Sequence, residues 1–125
     1  VSALCVATLA GAVLASIPGT DITLSWTHSV EKTEWREAWR IEGQRLVAVE
    51  ARIRSTGAGM EPPADARLVD GWWVWRPDLP PLERIVLAAS SFTADHSLCV
   101  GGDCRPLHGW TGPTADRPIV LEPCR

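Results

Sequence analysis

The residues His28-Ser29-Val30-Glu31-Lys32-Thr33 set an imidazole, two hydroxyls, a carboxylate and an ammonium side by side. Lys32 is the only lysine of the chain; the other eleven basic residues are arginines. A second stretch, Gly57-Ala58-Gly59-Met60, flanks one alanine with two glycines. That pattern suits a loop of positive φ, or a backbone that a ligand must approach closely. Taken together, the Lys32 ammonium, the Ser29 and Thr33 hydroxyls and the N–H groups of residues 57–60 suit recognition of a carboxylate or another small anion. A different chemistry needs His28, Glu31 and Lys32 to converge in one cleft, where they would serve a small hydrolase or a metal-dependent enzyme. Ser29 beside His28 does not make a nucleophile–base pair by itself. Neighbours in a strand point to opposite faces, and no Gly-x-Ser-x-Gly elbow accompanies them. The plainest reading has His28 ending a strand and Glu31 and Lys32 in a solvated turn.

The elements that must position these stretches read as short strands. Asp21 to His28 alternates, with Ile22, Leu24 and Trp26 on one face and Thr23, Ser25 and Thr27 on the other; His28 continues the apolar parity. From Glu34 to Ile41, Trp35, Glu37, Trp39 and Ile41 oppose Glu34, Arg36, Ala38 and Arg40. Leu46 to Ile53 follows after the turn-like Glu42-Gly43-Gln44-Arg45, with Val47, Val49 and Ile53 on one parity, so the two runs predict a hairpin. Asp70-Gly71 opens Trp72-Trp73-Val74-Trp75, in which Trp73 and Trp75 share a face. Their flat rings, if exposed, suit a sugar or a protein partner; if buried, they fill the core. Glu83 to Ala89 and Ile119 to Leu121 complete the set, with Leu98–Cys104 as a hairpin around Gly101-Gly102. The pattern predicts an all-β fold, a small antiparallel β-sandwich or partly open barrel of about seven strands.

With 125 residues the chain has room for one modest core. The formal net charge of −3, with arginines interleaved among carboxylates, excludes the clustered basic footprint of a nucleic-acid binder. Ten glycines and ten prolines imply many turns and little uninterrupted helix. The uncharged apolar run from Val1 to Ile17 predicts a leader helix. Residues 1–19 are expected to be a signal peptide or an N-terminal membrane anchor, with a buried helix of the fold as the alternative, and residues 20–125 a single β domain. That places the protein in the periplasm or otherwise outside the cytoplasm, with an inner-membrane tether where the segment is retained. Setting Cys5 aside with the leader leaves Cys99, Cys104 and Cys124. A Cys99–Cys104 disulfide is expected, because those positions oppose each other across the Gly-Gly turn, with pairing of either to Cys124 as the alternative. Zinc is the rival, with His108 and Cys124 as further ligands, but the spacing is not that of the usual knuckles. Neither a metal nor a cofactor is expected.

The motifs His28-Ser29-Val30-Glu31-Lys32-Thr33, Glu37-x-Trp39, Ser55-x-Gly57-Ala58-Gly59-Met60 and Asp70-Gly71, in that order, resemble the bacterial domain-of-unknown-function family DUF1850. The similarity covers roughly residues 20 to 110. Glu34-Trp35 departs from the family pattern, where proline and a small apolar residue are expected, and so does the cysteine-bearing C-terminal part. The resemblance implies a small exported or membrane-anchored protein, encoded beside genes for tripartite periplasmic (TRAP) transporters of the TAXI type. It supplies no catalytic residues. The expected role is therefore an accessory of organic-anion uptake that acts by recognition. His28, Ser29, Glu31, Lys32, Thr33 and Gly57 to Met60 would form its binding surface, and a membrane or substrate-binding subunit of the transporter would be its partner, with a small organic anion as a further ligand.

Overall fold

The computed structural model describes residues 2–27, 34–54, 62–87, 96–112 and 117–125. Its strands form two sheets in which every neighbouring pair is antiparallel. The larger sheet runs from β10 (Asp103–Pro106) through β9 (Ser97–Val100), β3 (Asp21–Thr27), β4 (Glu34–Glu42), β5 (Arg45–Ile53) and β7 (Trp72–Trp75) to β6 (Arg67–Val69). The smaller runs from β2 (Val13–Pro18) through β1 (Ala3–Thr8) and β11 (Ile119–Pro123) to β8 (Ile85–Leu87). A short helix, α1 (Leu107–Thr111), follows β10. The architecture is all-β, two antiparallel sheets and not a closed barrel.

The core forms where the two sheets face each other. Leu4, Val6 and Ile17 of the smaller sheet, with Ile119 and Leu121, meet Ile22, Leu24, Trp39, Ile41, Leu46, Leu98 and Val100 of the larger. Ile22 and Leu24 occupy the parity expected of β3, opposite Val100 and Leu98 on one side and Trp39 and Glu37 on the other. The β4–β5 hairpin turns at Gly43-Gln44. A one-parity reading of β5 does not hold along its length. The register shifts between Ala38 and Trp39, whose partners are Glu50 and Ala48, so Val49 is an extra residue. This bulge exchanges the faces midway, and the residues that reach the interior are Leu46 and Ala48 before it and Ala51 and Ile53 after it.

The expected leader helix is corrected. Residues 3–18 form an antiparallel pair of strands, and β1 also pairs with β11, Leu4 opposite Pro123 through Thr8 opposite Ile119. Gly11 makes the turn at φ 94°, closed by the Thr8 N–H donating to the Ala12 carbonyl at 2.9 Å. An apolar run without alternation satisfies a buried strand as well as a helix, and a central strand between two partners needs no polar face. Among the described residues no helix is long and apolar enough to cross a membrane, so nothing there supports anchoring by a helix.

The Gly101-Gly102 turn forms as its sequence requires, with φ of 58° and 90°, and places Cys99 opposite Cys104, bonded, with Cα atoms 4.0 Å apart. The odd cysteine count resolves differently from expectation. Cys124 is bonded to Cys5 across the smaller sheet, and no cysteine is free. With the thiols committed to disulfides, zinc ligation by Cys99, Cys104 and Cys124 has no basis. Bonds of this kind form and persist in an oxidising environment.

The two cross-links should differ in worth. The Cys5–Cys124 bond spans 119 positions and the Cys99–Cys104 bond only five. Loop-closure entropy gives about 5 kcal/mol for the first and about 2 kcal/mol for the second. Urea unfolding of the Cys5→Ser/Cys124→Ser and Cys99→Ser/Cys104→Ser pairs is expected to show the larger loss in the first. An equal or reversed loss would contradict a link between β1 and the C-terminal strand.

Candidate functional site

The stretches singled out by sequence, His28, Ser29, Glu31, Lys32 and Thr33 with Gly57, Ala58, Gly59 and Met60, lie outside the described residues. The residues from which they depart are described, and they adjoin. Thr27, at the end of β3, is paired with Glu34, at the start of β4. The Arg54 N–H, just past β5, donates to the Glu34 carbonyl at 3.0 Å. Both stretches therefore leave the same end of the larger sheet, from neighbouring backbone positions. Ser97, at the start of β9, lies at this end too, since Ser25 pairs with it.

Aromatic rings mark this end of the core-facing surface. Trp26 and Trp35, opposite each other in register, stack with centroids 5.7 Å apart. The His96 ring is 4.9 Å from Trp26, and Trp75 meets Trp35 edge-on at 5.7 Å and 81°. Trp73 and Trp75 share this face, as alternation requires, opposite Ile53 and Ala51. Both are half-buried, so neither the exposed-platform nor the core-filling reading describes them fully.

One site on this face was not anticipated as one. Glu37 sits on the apolar parity of β4 between Trp35 and Trp39. Its carboxylate accepts from both indoles, Oε2 from Trp35 Nε1 at 3.2 Å and Oε1 from Trp39 Nε1 at 3.1 Å. The strand pleat brings side chains two residues apart to the same face, which makes this double contact possible. Beside it a cleft of about 140 Å3 is lined by Trp35, Glu37, Trp39, Glu50, Ala51, Trp75, Pro77 and Leu79. The sequence held the signal, a lone carboxylate within the otherwise apolar series Trp35, Glu37, Trp39, Ile41. Glu50 belongs to the opposite parity, opposite Ala38, and is bound by the Arg52 guanidinium. The two carboxylates are thus not an acid–base pair. Among the described lining residues there is no serine, cysteine or histidine.

The outer face of the same strands is a cationic layer over a buried ring. Trp72 is 8% exposed although it is on the side away from the core. The guanidinium carbons of Arg36, Arg54 and Arg52 lie 4.9, 5.4 and 5.6 Å from its ring centre. Glu34 pairs with Arg36 at 2.8 Å and Arg54 at 3.7 Å, while Glu50 pairs with Arg52, so two carboxylates offset two of the three guanidinium charges in place. A larger depression of about 600 Å3, lined among others by Arg45, Arg84, Glu83 and Glu122, lies by the β4–β5 turn, at the other end of those strands.

Removing the shared acceptor should be costly. Glu37→Ala leaves two indole N–H groups without their partner, one on the nearly buried Trp39, and is expected to lower stability by about 2 kcal/mol. Glu37→Gln keeps one acceptor oxygen and sets its NH2 group against the other indole N–H, so it should cost about half of that. Urea denaturation of both variants measures this; equal losses would mean that the indole hydrogen bonds contribute nothing specific.

Comparison with known proteins adds the family. No curated protein and no solved structure gives a significant match to the chain. Residues 22–107, more than half of the chain, match the family described as "Domain of unknown function (DUF1850)", and the protein belongs to it.

Proposed function

We propose that the protein is an accessory component of a TRAP-type (TAXI) uptake system for organic anions, working in the periplasm by recognition and not by catalysis. Membership of the family supports this through the transporter neighbourhood that the sequence resemblance implies. The two disulfides support the oxidising location. The observation that carries the reading is the adjacency of Thr27, Glu34 and Arg54. It gives the Lys32-bearing and Gly57–Met60 stretches a common point of departure from a rigid sheet, the usual arrangement for recognition segments on a scaffold. In the proposed mechanism Lys32 supplies the charge, the backbone of the second stretch supplies N–H donors, and the partner is a membrane or substrate-binding subunit of the transporter, with a small organic anion as a further ligand.

A second reading, a Trp-based sugar-binding module, is favoured by one observation. Trp75 is half-buried and lines a cleft together with Trp35 and Trp39. Flat rings beside a carboxylate acceptor are compatible with a sugar's apolar face and hydroxyls.

Capture of tagged protein from its native membrane, with Lys32→Ala in parallel, tests the accessory role. The accessory role predicts that a transporter subunit co-purifies with the parent chain and is lost in the variant, whose circular dichroism is unchanged. Recovery of the chain alone from both samples would remove that role. Attention would then pass to a hydrolase or metal-dependent enzyme centred on His28, Glu31 and Lys32.

A further inference from the structure

We infer that the cleft between β4, β5 and β7 binds the headgroup of a small organic cation, an alkylated ammonium. Its size sets the scale. About 140 Å3 is well below the roughly 300–1,000 Å3 of sites that enclose a whole drug-sized ligand, so it takes one group and leaves the remainder outside.

Charge sets the sign. Two neutral indole donors orient the Glu37 carboxylate and leave its negative charge uncompensated. Among the described residues, no lysine, arginine or histidine is within ion-pair distance of it. No basic residue is among the described residues lining the cleft, and an anion would meet the Glu37 carboxylate there. A neutral ligand would leave the charge as it is; a cation neutralises it.

The rings set the chemistry. Trp35, Trp39 and Trp75 border the space, Trp35 and Trp75 meeting at 81°, and the face of an indole carries the negative end of its quadrupole. A flat sugar platform needs one broad face. Rings meeting at this angle give no such platform, and indoles beside an unpaired carboxylate suit a compact cation. Ala51, Pro77 and Leu79 supply apolar wall, and Glu37 is the only carboxylate there not already paired with a described cation. That favours an ammonium covered with methyl groups over a primary one, which would need three hydrogen-bond acceptors.

This inference uses none of the residues of the docking proposal, and each can fail alone. Full-length protein labelled with nitrogen-15 is titrated with choline, with its neutral carbon isostere dimethylbutanol and with methyl glucoside, and the indole N–H resonances of Trp35 and Trp39 are followed. Choline should shift both saturably and bind at least about tenfold more tightly than the isostere, a difference of about 1.4 kcal/mol. Glu37→Gln should weaken choline by a similar factor and leave the isostere unchanged. Equal binding of choline and the isostere, saturation by methyl glucoside alone, or no saturable shift would each overturn the assignment. The comparison of choline with the isostere on the unmutated chain decides the matter even if the variant does not fold.

Discussion

The constraint on which the rest depends is the register of β3, β4 and β5. Their alignment sets Ile22 opposite Trp39, Leu24 opposite Glu37 and Trp26 opposite Trp35, so one continuous face carries both the core and the cleft. Trp39 belongs to both, being a member of the core cluster and a lining residue. A slip of one residue would send that whole series to the other face and bring the arginines inward. The indole bonds to Glu37 let a carboxylate hold a place in this series, because the cost of burying a polar group falls once its hydrogen bonds are made.

The outer face solves a different problem with the same strands. Among the described residues no second sheet covers Trp72, and the guanidinium groups of Arg36, Arg52 and Arg54 lie over its ring instead. Arginine suits this because it offers apolar length and a planar cation together. Glu34 and Glu50 then offset two of the three charges, and Glu34 also fixes Arg54 through its own backbone carbonyl. The bulge at Val49 keeps both faces consistent along β5, since Ala48 and Ala51 are three positions apart and yet both point inward.

Legibility followed from how local each signal was. The alternation of Asp21–Thr27 and Glu34–Glu42 and the Gly101-Gly102 turn could be read directly, since period and turn chemistry act within a few residues. The strands β1 and β2 were not legible, because a wholly apolar run fits a leader helix and a central strand equally. Only the pairing of β1 with β11, more than a hundred residues away, decides between them. The Cys5–Cys124 bond was hidden for the same reason. The bulge at Val49 has no glycine to announce it. At the cleft, Glu37 was visible as a misplaced charge, but its meaning depends on Trp75, Pro77 and Leu79, brought there by the pairing of β5 with β7.

The two ends of the larger sheet are built for different tasks. At one end, β4 turns into β5 at Gly43-Gln44, β9 into β10 at Gly101-Gly102, and β2 into β3 through Gly19-Thr20. These connections interlock. The Gly101 N–H donates to the Asp21 carbonyl at 3.0 Å, and a β-carbon on Gly19 would approach the Gly101 nitrogen to 3.2 Å, so the glycine is required there. The Cys99–Cys104 bond fastens the same end. At the other end, the chain travels from residue 27 to 34, from 54 to 62 and from 87 to 96 between described segments, and there the connections are longer. Short turns spend their residues on closing the sheet, whereas longer connections have residues to spare for recognition. The only lysine and the Gly57–Met60 stretch both fall within these longer connections. A sheet fixed at one end by glycine contacts and a disulfide can therefore accept changes of sequence at the other without losing its register.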